Sequence, residues 1–156
     1  MAGMPVRPYY VDVSLRWSDM DALLHVNNVQ FFRLLEEARV IAFRDWYHGP
    51  LGIERRPQLL VARAKIDYLR QLYYRDEPIV VAIWVTAIAG ASFDTGYEVL
   101  SSRGSDAEVY ARAETTQVRF DMEAQRPQRI SFDDRKVLEA HVGSPVSMKR
   151  RLKGYA

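Results

Sequence analysis

The segment from Val29 to Tyr47 constrains this chain more than any other. Its apolar residues, among them Phe31, Phe32, Leu34, Leu35, Ala38, Val40, Ala42 and Trp46, cover well over half of a helical circumference. Such a helix is about 28 Å long. Asn27 or Asn28 suits its start, because a short amide oxygen accepts hydrogen bonds from the orphan N–H groups of the first turn. Gly49-Pro50 stops it. One polar strip remains, through Arg33, Glu36, Glu37, Arg39 and Arg44. The pattern predicts a helix enclosed on several sides.

Most of the remaining chain reads as strand. Val11, Val13 and Leu15 alternate with Asp12, Ser14 and Arg16, the period of a half-buried strand. Strand-like runs follow at Leu59 to Leu69, Ile79 to Ala89, Phe93 to Leu100 and Glu108 to Asp121. Turn residues at Arg75-Asp76-Glu77-Pro78, Ala89-Gly90-Ala91 and Ser102-Arg103-Gly104-Ser105 divide them. A short helix is expected near Ser131 to His141, where Ser131 and Asp134 have the spacing of a capping box. This order predicts an α+β fold: an antiparallel meander curled around one long helix. The run Ile79 to Ala89 is apolar on both faces, so its second face needs a cover: another subunit, a loop or the C-terminal helix.

The sequence has 156 residues, 48% apolar and 27% charged, as a soluble globular protein has. With no repeat and no long linker, a single domain over residues 1–147 is expected, followed by a basic tail over 148–156. The absence of cysteine excludes disulfides and thiolate nucleophiles. Formal charge is +2, but four of the 22 cations (Lys149, Arg150, Arg151 and Lys153) crowd into the tail. The rest is slightly acidic, which argues against a nucleic-acid-binding face. The longest apolar stretch, Ile79 to Ala91, falls short of the ~20 residues that a bilayer demands. The first residues lack the apolar core of a secretion signal, so the expected compartment is the cytoplasm.

The elbow of serine hydrolases, the zinc-protease helix, the P-loop and the dinucleotide glycine fingerprint are all missing. His25, His48 and His141 lack metal-ligand spacing, so no metal or redox cofactor is expected. What remains is a polar loop, Trp17 to Asn28, that carries Asp19, Asp21, His25, Asn27 and Asn28 just ahead of the long helix. Unpaired N–H groups and the positive dipole end there favour developing negative charge. A carbonyl placed against them could become an oxyanion. Asp21 or Asp19 could attack it or activate water, and His25 could orient the substrate or carry a proton. Capping alone would also explain an aspartate and asparagines at this place. Asp19 suits a structural role better than Asp21.

The run Arg16-Trp-Ser-Asp19-Met-Asp21-Ala-Leu-Leu-His25-Val-Asn27-Asn28, continuing to Phe32-Arg33-Leu-Leu-Glu36-Glu37-Ala38-Arg39, resembles the hotdog-fold acyl-CoA thioesterases of the 4-hydroxybenzoyl-CoA thioesterase type. Weaker similarities extend over most of the chain, at Ala64-Lys-Ile-Asp67-Tyr68-Leu-Arg70, Gly90-Ala-Ser92-Phe93 and Arg126-Pro127. The resemblance implies a helix wrapped by about five antiparallel strands, and a homodimer or homotetramer with active sites between subunits. It places the catalytic carboxylate on Asp21 and the oxyanion donor on the backbone N–H near Asn28. His25 assists, while Tyr68, Ser92 and Arg70 become candidates for substrate binding. Two positions depart from the family. Leu24 stands where glycine, suited to a positive φ, is usual. Ala89 and Gly90 stand where the bacterial aromatic-CoA enzyme has arginines for the nucleotide phosphates, which leaves Arg63, Lys65, Arg70 or the tail for that task.

The expected activity is hydrolysis of an acyl-CoA to a carboxylic acid and free CoA, with no membrane span and no nucleic-acid partner. The alternative is a hotdog protein that binds acyl-CoA or acyl-carrier protein without turnover, a reading that Leu24 favours. A hydratase on the same fold is weaker, because its Gly-Asp-x-Asn-Pro-x-His pattern is absent.

Overall fold

The computed structural model describes residues 7–48 and 57–149. Gly49-Pro50, the stop expected for the long helix, lies outside them, as do the first residues and tail cations Arg150, Arg151 and Lys153. The elements in order are β1 (Tyr9–Val13), α1 (Asn28–Trp46), β2 (Leu59–Tyr68), β3 (Ile79–Ile88), β4 (Ser92–Leu100), β5 (Val109–Asp121), β6 (Arg126–Pro127) and α2 (Phe132–Glu139). A short 3₁₀ turn, Trp17–Asp19, precedes α1. Every strand pairing is antiparallel. This is the expected α+β hotdog architecture.

The strands do not form a simple meander. Their order across the sheet is β1-β3-β4-β5-β2, with β6 added against β5. Consecutive pairing holds from β3 to β5, but β2 crosses to the far edge and pairs with β5 from Leu59↔Arg119 to Tyr68↔Ala111. The physical reason lies in the connection. Residues 69–78 are too many for a tight hairpin, so nothing held β2 and β3 side by side.

One face of the sheet packs on α1. Ile79, Val81, Ile83 and Val85 of β3 are fully buried there, with Phe93, Tyr97 and Val99 of β4. The helix contributes Phe31, Leu34, Leu35, Ala38, Ala42 and Trp46. Each large side chain so buried adds about 2 kcal/mol of hydrophobic stabilisation. The helix is less enclosed than its sequence predicts: Val29, Phe32 and Val40 are 70%, 41% and 54% exposed. They share the protein's surface with Leu60 and Val61 on the β2 edge, also close to half exposed.

The second face of β3 is covered by the segment after α2. The Val85 N–H donates to the His141 carbonyl and the Gly143 N–H to that of Val85. Trp84 Nε1–H donates to the Ser144 carbonyl at 2.7 Å. The segment then reaches β2, where the Lys149 N–H donates to Asp67 Oδ2 at 2.6 Å. Gly96 of β4 lets it pass, since a Cβ there would lie 2.5 Å from Val146 Cγ2.

Candidate active site

Asp21 opens a three-residue loop. Met20 and Val26 pair as an isolated antiparallel bridge, the Asp21 N–H donates to the His25 carbonyl (2.8 Å), and the Leu24 N–H donates to the Asp21 carbonyl (3.1 Å). A type I turn closed this way needs its last residue in the left-handed region. Leu24 occupies it, with φ 63°. The side chain takes the conformation that glycine would supply, at a strain cost of about 1 kcal/mol. Asp21 also fixes its own carboxylate: Oδ1 accepts from the Leu23 N–H at 2.8 Å and the His25 N–H at 3.1 Å. Oδ2 accepts no hydrogen bond among the described residues.

The helix start faces the same space. Asn27 is the cap; its Oδ1 accepts from the Val29 N–H and its carbonyl from the Gln30 N–H. Asn28, one residue further, keeps its own N–H free of any acceptor among the described residues. Tyr68, from the end of β2, donates its hydroxyl to the Asn28 carbonyl at 3.0 Å, which ties strand to helix. Burial pushes the Tyr68 hydroxyl pKa up, so it stays a donor across neutral pH.

Asp21, His25, Asn28, Tyr68 and Arg70 line one cavity of about 240 Å³, with Phe31, Leu69, Gln71 and Leu72. The crossing connection after β2 builds its wall: the Val26 N–H donates to the Leu72 carbonyl, and the His25 ring meets Tyr73 edge-on, with centroids 4.6 Å apart. Sequence reasoning missed Gln71, Leu72 and Tyr73 because it read the connection as a turn. Its length was the available signal. Arg70 is exposed and pairs with Glu108 at 3.4 Å.

Ser92 does not line this cavity. It begins β4 opposite Val118, at the end of the sheet where the Ala89 N–H donates to the Ser92 carbonyl. Asp19 is not there either. Fully buried, it holds Arg16 and Arg33 in ion pairs and takes the Arg16 N–H at 2.7 Å. Burial alone would raise its pKa, but the Arg33 and Arg16 hydrogen bonds outweigh that and hold it below the usual carboxylate value. Among the described residues, no three His, Cys, Asp or Glu side chains converge on a metal-sized site.

A carboxylate with one free oxygen, a free helix-start N–H and a pocket beside both form an acyl-transfer arrangement on a hotdog scaffold. The chain belongs to the thioesterase-like superfamily, whose family model matches residues 15–142. A thioesterase from Thermus thermophilus, complexed with coenzyme A and zinc, is 27% identical, with 88% of this chain and 96% of that one covered (TM-score 0.70). A predicted thioesterase from Bacillus stearothermophilus is 26% identical, with 88% and 98% covered (TM-score 0.74). A thioesterase superfamily protein from a Jannaschia species, 20% identical over 87% and 85%, shares the fold (TM-score 0.70). No curated protein is significantly similar in sequence.

Proposed function

We propose that this protein is an acyl-CoA thioesterase in which Asp21 and the Asn28 N–H act on one thioester carbonyl. The observation that carries the reading is their place on the wall of a single cavity, each with a free polar atom. The carbonyl oxygen takes the Asn28 N–H, where the helix dipole favours the developing charge. The Asp21 carboxylate then either attacks the carbonyl carbon, forming an anhydride that water opens, or takes a proton from an attacking water. In both routes the C–S bond breaks, the CoA thiolate leaves and is protonated, and the acid is released. His25 positions the carboxylate through its backbone N–H. Tyr68 holds the helix start in place, and Arg70 at the rim is the candidate for a CoA phosphate.

The binding-only alternative rested on Leu24. Since Leu24 adopts the conformation of a glycine, the turn presents Asp21 as a glycine-bearing loop would. A panel of acyl-CoAs incubated with a thiol reagent tests the proposal: catalytic release of CoA thiol is expected, and saturable binding with no release would establish the binder instead.

The functional unit we infer is a homodimer joined at β2, with pairing of dimers into a tetramer left open by that contact. An exposed edge strand carrying Leu60 and Val61 beside the exposed Phe32 and Val40 of α1 supports it. Antiparallel pairing there carries Ser92 of the partner subunit toward the Tyr68 end of β2, which restores it as a substrate-binding candidate. No helix among the described residues is long and apolar enough to cross a membrane. The cytoplasm is the proposed compartment, and cell fractionation tests it.

A further inference from the structure

A second cavity, of about 260 Å³, lies between the C-terminal half of α1 and the first residues of β2. Val40, Phe43, Tyr47, Leu59 and Val61 make it apolar, while Glu36, Arg39 and Gln117 add polar atoms. Behind it runs a chain of polar side chains at core positions of β4 and β5. Thr95, Tyr97, Thr115 and Gln117 are each 2% exposed or less. Thr95 Oγ1 donates to Gln117 Oε1 at 2.7 Å, Gln117 Nε2 donates to Thr115 Oγ1, and the Tyr97 hydroxyl meets that same oxygen at 2.7 Å. Arg39 Nη1 donates to the Tyr97 hydroxyl at 3.2 Å.

Apolar residues of similar shape would fill these positions without the cost of burying polar groups. Nor is the network closed at the cavity. Arg39 is half-buried, donates to no other group and forms no ion pair among the described residues. The Gln117 amide has a second N–H that none of the described residues accepts. Glu36 also lies on the wall, exposed to water and without an ion pair to Arg39. The cavity therefore offers an apolar throat, a guanidinium lacking its counter-ion and a fully buried amide donor.

We propose that this cavity receives a carboxylate at the far end of the acyl group, so that the preferred substrates are ω-carboxyacyl thioesters. The inference rests on the thioesterase reading and its β2-joined dimer. Within one chain the two cavities occupy opposite ends of the groove between α1 and β2. Antiparallel pairing of two β2 edges sets the Arg39 cavity of one copy against the Asp21 cavity of the other. The acyl chain then runs across the interface, with its carbonyl at Asp21 and its far end at Arg39. A charge-assisted hydrogen bond to a guanidinium is worth more than one to a neutral donor, and its loss leaves a desolvated carboxylate.

The experiment compares octanoyl-CoA with suberoyl-CoA, which have equal carbon count and differ at the far end, and titrates octanoate and suberate by calorimetry. Wild type is expected to favour suberoyl-CoA by about tenfold or more in kcat/KM, mainly through KM, and to bind suberate tighter than octanoate. Arg39→Met, with folding checked by thermal melting, is expected to abolish or reverse both preferences. Arg39→Lys is expected to keep part of them. Equal handling of the two thioesters by wild type, or a preference that survives Arg39→Met, overturns the proposal while the thioesterase reading stands. Cleavage of neither thioester nor of any acyl-CoA in the panel, with suberate binding still dependent on Arg39, overturns the thioesterase reading and leaves the carboxylate subsite in place. Suberate binding that is absent, or indifferent to Arg39, refutes the subsite whatever the enzyme does.

Discussion

Two aspartates two positions apart do different work, and their partners decide which. Asp19 spends its charge on Arg16 and Arg33 and sits inside the protein. Asp21 gives one oxygen to its own turn and keeps the other free beside the cavity. Asp19→Asn breaks a buried ion pair and is expected to cost about 3 kcal/mol in urea denaturation. Because the Asp19 pKa is lowered in the folded state, its contribution is complete above the unfolded carboxyl value of about 4 and is lost as pH falls through the folded value. Thermal melts from neutral to acid pH should fall more steeply in wild type than in Asp19→Asn. Leu24 is the converse case, a residue strained in the folded state. Leu24→Gly removes about 1 kcal/mol of positive-φ strain but adds about 0.5–1 kcal/mol of chain entropy to the unfolded state, so a change in stability within about 0.5 kcal/mol is expected, with thiol release kept.

Among the elements, α1 and the strands β2 to β5 were legible within a residue, because apolar periodicity is set by the burial that forms them, whereas β1 ends at Val13, three residues short of the alternation that runs to Arg16. The start of α1 was equally readable: an amide side chain next to the first apolar residues is a local signal, and Asn27 caps it. The partner of β2 was not. Strand pairing across the sheet is a long-range choice, and Leu59 to Tyr68 carries no mark of its neighbour beyond the length of the connection that follows. Asp21, Tyr68 and Arg70 of the cavity wall were therefore visible in the sequence, while Gln71 and Leu72 beside them were not. The cover of β3 was one of several open possibilities, and the segment after α2 supplies it through Trp84 and Val85. Gly96 is the test of that cover. Gly96→Ala puts a methyl against Val146, Thr86 and Trp84, and should lower stability by about 1–3 kcal/mol as the segment is displaced.

At the scale of the molecule, the chain leaves apolar surface uncovered beside the groove that holds the cavity. Of its exposed apolar residues, Val29, Phe32, Val40, Leu60 and Val61 lie on α1 and the β2 edge, while Asp21 and the helix start open at one end of the groove between them. The dimer we propose covers the first and completes the second. Val61→Lys places a charge on that edge, and sedimentation should show monomers with thiol release reduced at least tenfold; intact dimers with full activity would move the contact elsewhere. The role of Asp21 itself is read by one variant. In Asp21→Asn, which keeps the shape and the turn's acceptor oxygen, kcat for CoA release should fall by about 10²–10⁴-fold while the dissociation constant for acyl-CoA stays within a few-fold. Turnover near the wild-type rate in that variant would contradict the assignment of the carboxylate, and with it the mechanism built on this cavity.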